Sequence, residues 1–332
     1  MTAQKRNEPQ RSQRREDKIR EKKIRKNDLL APSAHFLFLS SSLLLRDLGV
    51  LCGEKRLKSW VSQQPARILS VLFFVLLIAV PAAAKGLPDG LKPGAEATIA
   101  RVVDGDTVVL ETPVDGARQV RLVGLQAPKL PLGRKNFPVW PLATESKRAL
   151  EELTLGRRVR LFFGGVQKDR HGRLLAHLHT ADGVWVQGEM LGRGMARVYS
   201  FPDNRAAVAD MLAFERAARE AGRGIWGHPF YGVRDAMDTK AVSRLAGTFQ
   251  VVRGRVAKAA RIKSRVYLNF GQNWRDDFTI TIETSARRMF DKAGTDPLSL
   301  QGKIVRVRGW LKKYNGPMIE LSHPEQIEVI SP

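Results

Sequence analysis

The stretch at residues 98–129, TIARVVDGDTVVLETPVDGARQVRLVGLQAPK, constrains the fold more than any other part of the chain. It holds two runs of apolar and β-branched residues, Val102 to Leu110 and Gln119 to Leu125, joined by Pro-Val-Asp-Gly. Runs of this composition on either side of a turn are typical of paired β-strands. The stretch therefore predicts a β-hairpin at the start of a strand-rich domain.

Three charged side chains lie on this predicted hairpin. Asp104 and Asp106 sit at the first strand, and Arg121 emerges from the second. An arginine fork grips phosphate oxygens, and carboxylates recruit a hard cation. This combination indicates phosphate chemistry.

Three motifs share the order and spacing of a known signature. They read VDGDT at 103–107, RLVGLQAPK at 121–129 and DRHGR at 169–173. In the staphylococcal nuclease (thermonuclease) family, the corresponding motifs are I/V-D-G-D-T, R-L-x-x-V-D-T-P-E and D-x-Y-G-R. The chain resembles this family from about Thr98 to Trp226, the last residue of a Gly-Ile-Trp that also ends the family's domain. The resemblance implies an OB-type barrel of five strands with helices packed at one end.

The resemblance also implies roles for individual residues. Arg121 and Arg173 match the two arginines that neutralise the phosphate. Asp106 matches the first aspartate that binds the metal, and Asp104 is its neighbour outside the metal's direct ligands. Ala127 matches the position whose main-chain carbonyl binds calcium. A Ca²⁺ ion is the cofactor that the resemblance implies, and no small-molecule cofactor is expected.

Two positions depart from the family. Gln126 replaces the second metal aspartate, so calcium binding should be weakened, and Lys129 replaces the general-base glutamate. An ammonium cannot take a proton from water unless burial lowers its pKa by several units. Loss of a general base removes about 10²–10⁴-fold in rate. Hydrolysis is therefore predicted to be impaired or lost, unless Glu145 at the start of the next helix, or less plausibly His171, supplies a replacement.

Length and charge bound the partners. The chain has 332 residues and a net charge of +23, and residues 1–67 hold 16 Lys and Arg against 7 Asp and Glu, which leaves +14 for residues 68–332. Such a basic protein suits nucleic acid, with single-stranded DNA or RNA as the expected partner, or an anionic membrane or cell-wall polymer. Cys52 is the only cysteine, so a disulfide scaffold is excluded.

The N-terminal region predicts export. Residues 1–60 are expected to be a disordered basic leader, or an over-extended gene model, because a secretory signal pattern begins only at Val61. Residues 61–84 then carry a positive residue, an apolar core and three alanines, which is typical of a signal peptide and could also be an uncleaved anchor. The protein is therefore expected to be periplasmic, secreted or membrane-anchored.

The remaining chain divides into two predicted domains. A linker at 85–97 leads into the thermonuclease-like domain at 98–228, and a second linker at 229–247 leads into an OB-like domain at 248–332. The second domain has five strand candidates, with a longer insert between the third and the fourth. The predicted fold class is mainly β with α (α+β), a nuclease-type barrel followed by a second five-stranded OB-like barrel.

The second domain carries a candidate nucleic-acid-binding face. In KIVRVRGWLK and RVYLNF, apolar residues alternate with basic and aromatic ones, which predicts two faces on each strand. The residues assigned to the binding face are Arg265, Tyr267, Arg306, Arg308 and Trp310. Cations contact the backbone and aromatic rings stack on bases in single-stranded nucleic-acid sites. Alternatively, Trp310 packs against the first domain.

Three functions remain open from the sequence. One is a degenerate nuclease that engages nucleic acid without efficient cleavage. Another is an active metal-dependent phosphodiesterase with a rearranged acid, Glu145 or Asp106. The last is a structural envelope protein that binds anionic polymer or lipid.

Overall fold

The structure is a computed structural model, and it describes residues 86–331. The predicted leader at 1–60 and the predicted signal peptide or anchor at 61–84 lie outside these residues. From residue 86 to residue 331, no helix combines the length and apolar character needed to cross a membrane.

The first part of the described chain forms a closed barrel of five strands, with the order β1-β2-β3-β6-β5. The strands are β1 Lys92–Asp104, β2 Thr107–Val114, β3 Ala117–Leu122, β5 Arg158–Phe163 and β6 Leu174–Thr180. Two short strands, β4 Leu125–Gln126 and β7 Arg197–Val198, pair separately. Alternate residues such as Val108, Leu110, Val120 and Leu122 are fully buried and fill the barrel.

The turn between β2 and β3 confirms the predicted hairpin. Asp115 and Gly116 have φ angles of 48° and 76°. Positive φ at both central residues is the geometry of a type I′ turn, for which Asp-Gly is favoured. The helices that accompany the barrel are α1 Ala143–Thr154, α2 Val186–Gly192 and α3 Val208–Glu220.

A second β domain follows, as predicted, and within the described residues its sheet has eight strands rather than five. They are β8 Arg234–Asp235, β9 Phe249–Arg255, β10 Lys258–Ile262, β11 Arg265–Asn269, β12 Thr279–Ile282, β13 Ile304–Tyr314, β14 Gly316–Leu321 and β15 Ile327–Ser331. The predicted fifth candidate is split between the last two strands. The predicted insert contains helix α5 Thr284–Lys292. The segment predicted as a linker at 229–247 contains β8 and helix α4 Thr239–Arg244.

A buried ion cluster joins the two β domains. Glu215 of α3 accepts hydrogen bonds from Nη1 and Nη2 of Arg308 in β13, both at 2.9 Å, and Arg308 also bonds Glu328 at 2.7 Å. Arg219 donates to the same Glu215 at 2.8 Å. Burial acts to lower the pKa of Arg308, but Glu215 and Glu328 hold that pKa above its ordinary value. The cluster is therefore charged, paired and largely closed to water.

This contact corrects the predicted binding face on β13. Val305 and Val307 are fully buried, as the alternation predicted, but Arg308 on the opposite face is only 1% exposed because α3 covers it. Arg306 lies 3.8 Å from Glu328. Trp310 donates its Nε1–H to Tyr199 Oη at 2.9 Å, so it contacts the first domain. Alternation shows which residues share a face, but not which faces meet water.

His323 lies in the same contact between domains and predicts acid lability. Its ring bonds Ser200 Oγ at 2.7 Å, and burial lowers its pKa to about 4. Because the unfolded state binds the proton first, this histidine's contribution is complete above pH 6.5 and is lost as pH falls towards 4. The loss is about 3 kcal/mol at most.

Denaturant unfolding of the wild type and of His323→Gln from pH 7.5 to 4.5 measures this contribution. We expect the stability of the wild type to fall more steeply with acid than that of the variant. A free-energy difference between the two proteins that does not change over this range would contradict the assignment.

Candidate functional site

A tight turn positions the two acidic residues. β1 ends at Asp104 and β2 begins at Thr107, which pair directly, so Gly105 and Asp106 form the turn. The backbone N–H of Asp106 donates to Asp104 Oδ1 at 3.2 Å. A Cβ on Gly105 would lie 2.0 Å from Ser146 Oγ of α1, so only glycine lets the turn approach that helix.

Asp106 is fully buried and fully engaged. Its Oδ1 accepts from Thr107 Oγ1 at 3.1 Å and forms an ion pair with Arg121. Its Oδ2 accepts from the backbone N–H of Ala127 at 2.9 Å. A carboxylate placed in this way organises its surroundings, because it holds β3 and the loop after β4 against the turn.

Lys129 completes this cluster from the loop after β4. Its Nζ lies 2.5 Å from Asp106 Oδ2 and 3.1 Å from Asp104 Oδ2. Burial lowers the pKa of Lys129 to about 7, the Arg121 cation acts in the same direction, and Asp104 opposes both. By the family resemblance this lysine occupies the position of the general-base glutamate. The structure places its ammonium against the carboxylates that the resemblance assigns to calcium.

The two arginines lie on neighbouring strands. Arg121 is in β3, and Arg173 directly precedes β6, which pairs with β3 in parallel. Burial lowers the pKa of Arg121 to about 10, Asp104 opposes this effect and Arg173 adds to it, so Arg121 remains a cation at neutral pH. Arg173 bonds Asp169 through Nε at 2.7 Å and Nη2 at 2.6 Å.

Each arginine keeps one guanidinium nitrogen for a ligand. Arg121 uses Nη1 for Asp106 and Nη2 for Leu125 O at 2.9 Å. Across the part of the chain that the structure describes, Nε of Arg121 and Nη1 of Arg173 have no protein partner. Two cationic side chains with unpaired N–H donors on adjacent strands suit a phosphate group.

Arg197 is a site residue that the sequence analysis missed. It lies in β7, and its Nε and Nη2 donate to Gln126 Oε1 at 3.1 Å and 2.8 Å. Burial lowers the pKa of Arg197 to about 10. The two residues are 71 positions apart in the chain, so no local motif could reveal the pair.

The side-chain oxygens assigned to calcium are engaged by cations and N–H groups. Lys129 holds Asp104 and Asp106, Arg121 also holds Asp106, and Arg197 holds Gln126. Between residues 86 and 331, no group of three or more His, Cys, Asp or Glu side chains could hold a metal ion. Because Ca²⁺ takes six to eight oxygen ligands, this arrangement does not fit it.

The remaining predicted residues lie elsewhere. Glu145 is exposed in the first turn of α1, and none of its contacts within the described chain joins it to Arg121 or Arg173. His171 is exposed in the turn before Arg173. Arg265 pairs with Glu283, and its guanidinium lies 6.0 Å from the centre of the Tyr267 ring. These two residues of β11 are separated from β13 by two strands.

Comparisons with known proteins agree with the motifs. The family model described as staphylococcal nuclease homologue matches residues 119–228. The chain is 31% identical over 137 residues to a thermonuclease of Staphylococcus intermedius, with 39% of this chain and 74% of that protein covered. It is 29% identical over 134 residues to the thermonuclease of Staphylococcus hyicus, covering 39% and 73%.

A longer relative is similar over the same region. The chain is 32% identical over 137 residues to Endonuclease YhcR of Bacillus subtilis (strain 168). This match covers 40% of the present chain and 11% of that protein. The chain therefore spans about a tenth of the length of this relative, and the similarity concerns one domain.

Proposed function

This chain belongs to the staphylococcal nuclease family, and from that premise we propose that it binds nucleic acid while cleaving it poorly or not at all. Nuclease relatives support nucleic acid as the partner. The arginine pair in the first barrel would take the phosphate. The hydrolytic part of the proposal depends on the chemistry of Lys129.

One observation carries the proposal: the Lys129 ammonium bonds both Asp104 and Asp106. Metal-assisted hydrolysis needs a cation that holds the phosphate and a base that activates water. Burial brings the pKa of Lys129 to about 7, but Asp104 opposes that shift. Nζ donates to both Asp104 and Asp106, and the charged form that these bonds favour has no lone pair with which to take a proton from water. The site therefore favours phosphate binding over turnover.

The net charge supports binding to a polyanion. The excess of cations lies in the chain as a whole, which has a net charge of +23. At the site the three aspartates balance Lys129, Arg121 and Arg173, so the arginines would offer a phosphate their unpaired N–H groups. On β11, Arg265 and Tyr267 would contact a longer strand. We also propose export through residues 61–84. Fractionation of cells that express the chain with and without this segment tests that step.

Binding of a fluorescent single-stranded oligonucleotide to the full chain tests the main proposal. We expect binding with calcium and with chelator alike, no cleavage product, and affinity that falls steeply as salt is raised. Arg121→Ala should weaken binding about 10-fold or more, because it removes a phosphate contact. Arg118→Ala removes an exposed charge from the same strand and should change affinity less than about 3-fold.

Two results would overturn the proposal. The first is chelator-sensitive cleavage by the wild type that Arg121→Ala abolishes, which would establish an active metal-dependent nuclease. The second is the absence of salt-sensitive DNA binding together with tight binding to an anionic polymer or to lipid vesicles, which would favour a structural envelope role.

A further inference from the structure

A row of aromatic rings lies beside the phosphate site. Phe137 stacks on Trp140 with ring centres 6.2 Å apart and an interplanar angle of 20°. Trp140 lies 5.6 Å from Phe230, which belongs to a short 3₁₀ turn, Pro229–Tyr231, after the first barrel. We call Phe137, Trp140 and Phe230 the aromatic surface.

The aromatic surface is partly open to solvent. Phe230 is 42% exposed, Phe137 and Trp140 are half-buried, and the neighbouring loop residues Leu132 and Val139 are 53% and 57% exposed. Exposed apolar residues that are grouped in this way mark interaction sites more often than isolated ones do. The barrel core does not need these side chains, since its buried cluster contains none of them.

Hydrogen bonds fix the aromatic surface relative to the phosphate site. The backbone N–H of Trp140 donates to the carbonyl oxygen of Lys129 at 3.0 Å. Tyr231 Oη donates to Pro141 O at 2.7 Å, which holds the 3₁₀ turn against the loop. The loop therefore begins at Lys129 and is closed by the hydrogen bond from Trp140 to Lys129, whose ammonium contacts Asp104 and Asp106.

The charge of this loop is positive. Arg134 lies 3.6 Å above the centre of the Phe137 ring, and Lys135 next to it is exposed. Residues 130–142 contain no Asp or Glu. A surface with cations, flat rings and no acidic residues complements a strand that has phosphates and unpaired bases. A duplex keeps its bases stacked inside and cannot use the rings in this way.

We propose that the aromatic surface binds unstacked bases of single-stranded nucleic acid whose phosphate lies at Arg121 and Arg173. This inference rests on the proposed function and deepens it, because it assigns contact residues for the bases of the single strand. Base stacking on aromatic side chains tolerates any sequence. The preference is therefore for single strands over duplexes, without a required base.

Fluorescence anisotropy with the full chain tests the proposal, with a single-stranded oligonucleotide of about 20 nucleotides and its duplex as the probes. Phe230→Ser and Phe137→Ser should each weaken single-strand binding about 5- to 20-fold and change duplex binding less than about 2-fold. Leu155→Ser is the matched control, because Leu155 is 48% exposed just past the opposite end of α1. It should leave both affinities unchanged.

The outcomes separate this inference from the proposed function. If the wild type binds neither probe at about 50 mM salt, the proposed function fails and this inference fails with it. If the wild type binds and Arg121→Ala weakens binding while both serine variants match the wild type, only this inference is overturned. Equal losses for single strand and duplex also overturn it.

Discussion

Lys129→Glu should produce calcium-dependent cleavage of single-stranded DNA at least about 100-fold faster than the wild type under the same conditions. The substitution removes the ammonium from Asp104 and Asp106 and places a carboxylate where the family has its general base. The freed oxygens can then take a divalent ion. Adding Gln126→Asp should raise the rate further, because a charged ligand replaces a neutral one.

Calcium should also become a stabilising ligand of this variant. Without the ammonium, the carboxylates repel one another, so the melting temperature in chelator should fall below that of the wild type. Calcium should restore it, since a ligand that binds only the folded state stabilises that state. Cleavage assays and thermal melts with calcium and with chelator measure both effects.

Lys135→Glu is the matched control. It makes the same change of charge on an exposed residue of the same loop that has no ion pair with either aspartate in the described chain. We expect neither cleavage nor a calcium-dependent melting temperature from it. If wild type and Lys129→Glu cleave equally fast in calcium, Lys129 is not the group that suppresses hydrolysis.

Glu215→Gln should destabilise the whole described structure by about 3–5 kcal/mol, because it leaves the buried guanidinium of Arg308 short of negative charge. Burial acts to raise the pKa of Glu215, but Arg308, the backbone N–H of Val198 and Arg219 together hold it below its ordinary value, so the native group is ionised. For a chain of this size the loss corresponds to roughly 6–20 °C in melting temperature. The two β domains should then unfold in separate steps.

Two further variants test the cause of this loss. Glu215→Leu combined with Arg308→Met and Arg219→Leu replaces the charges around Glu215 by apolar groups and should recover much of the stability, because Glu328 keeps Arg216 and Arg306 as partners. Lys312 lies on the same strand as Arg308 and forms an exposed 2.7 Å pair with Glu320 of β14. Lys312→Gln breaks this pair and should cost less than about 1 kcal/mol. A single transition at the wild-type temperature for Glu215→Gln would contradict the role of the cluster.

The sequence motifs locate most of the candidate site. VDGDT located the two acidic residues, but the run from Val102 to Leu110 was predicted as one strand. The structure interrupts it with a turn at Gly105 and Asp106, where the glycine is necessary because α1 approaches within contact distance. Arg121 was expected to lie near Asp106, and the two form an ion pair. The partner of Gln126 was not predictable, because Arg197 comes from a strand that is remote in sequence.

The second β domain shows the opposite balance. Strand alternation correctly divided Val305 and Val307 from Arg306 and Arg308, yet it assigned Arg308 to a binding face. The packing of α3 against β13 decides that Arg308 is buried and that Trp310 contacts Tyr199. An alternating pattern is the same whether solvent or another domain covers the polar face.

By itself, the sequence determined the family, the barrel and the substitution of a lysine for the general base, because each depends on local motifs and their spacing. Only the tertiary structure decided what that lysine does. Its pairing with Asp104 and Asp106 depends on a turn and a loop that are more than 20 residues apart. The partners of each ion pair are set by distances between side chains in the folded protein, and the order of residues along the chain does not reveal these distances.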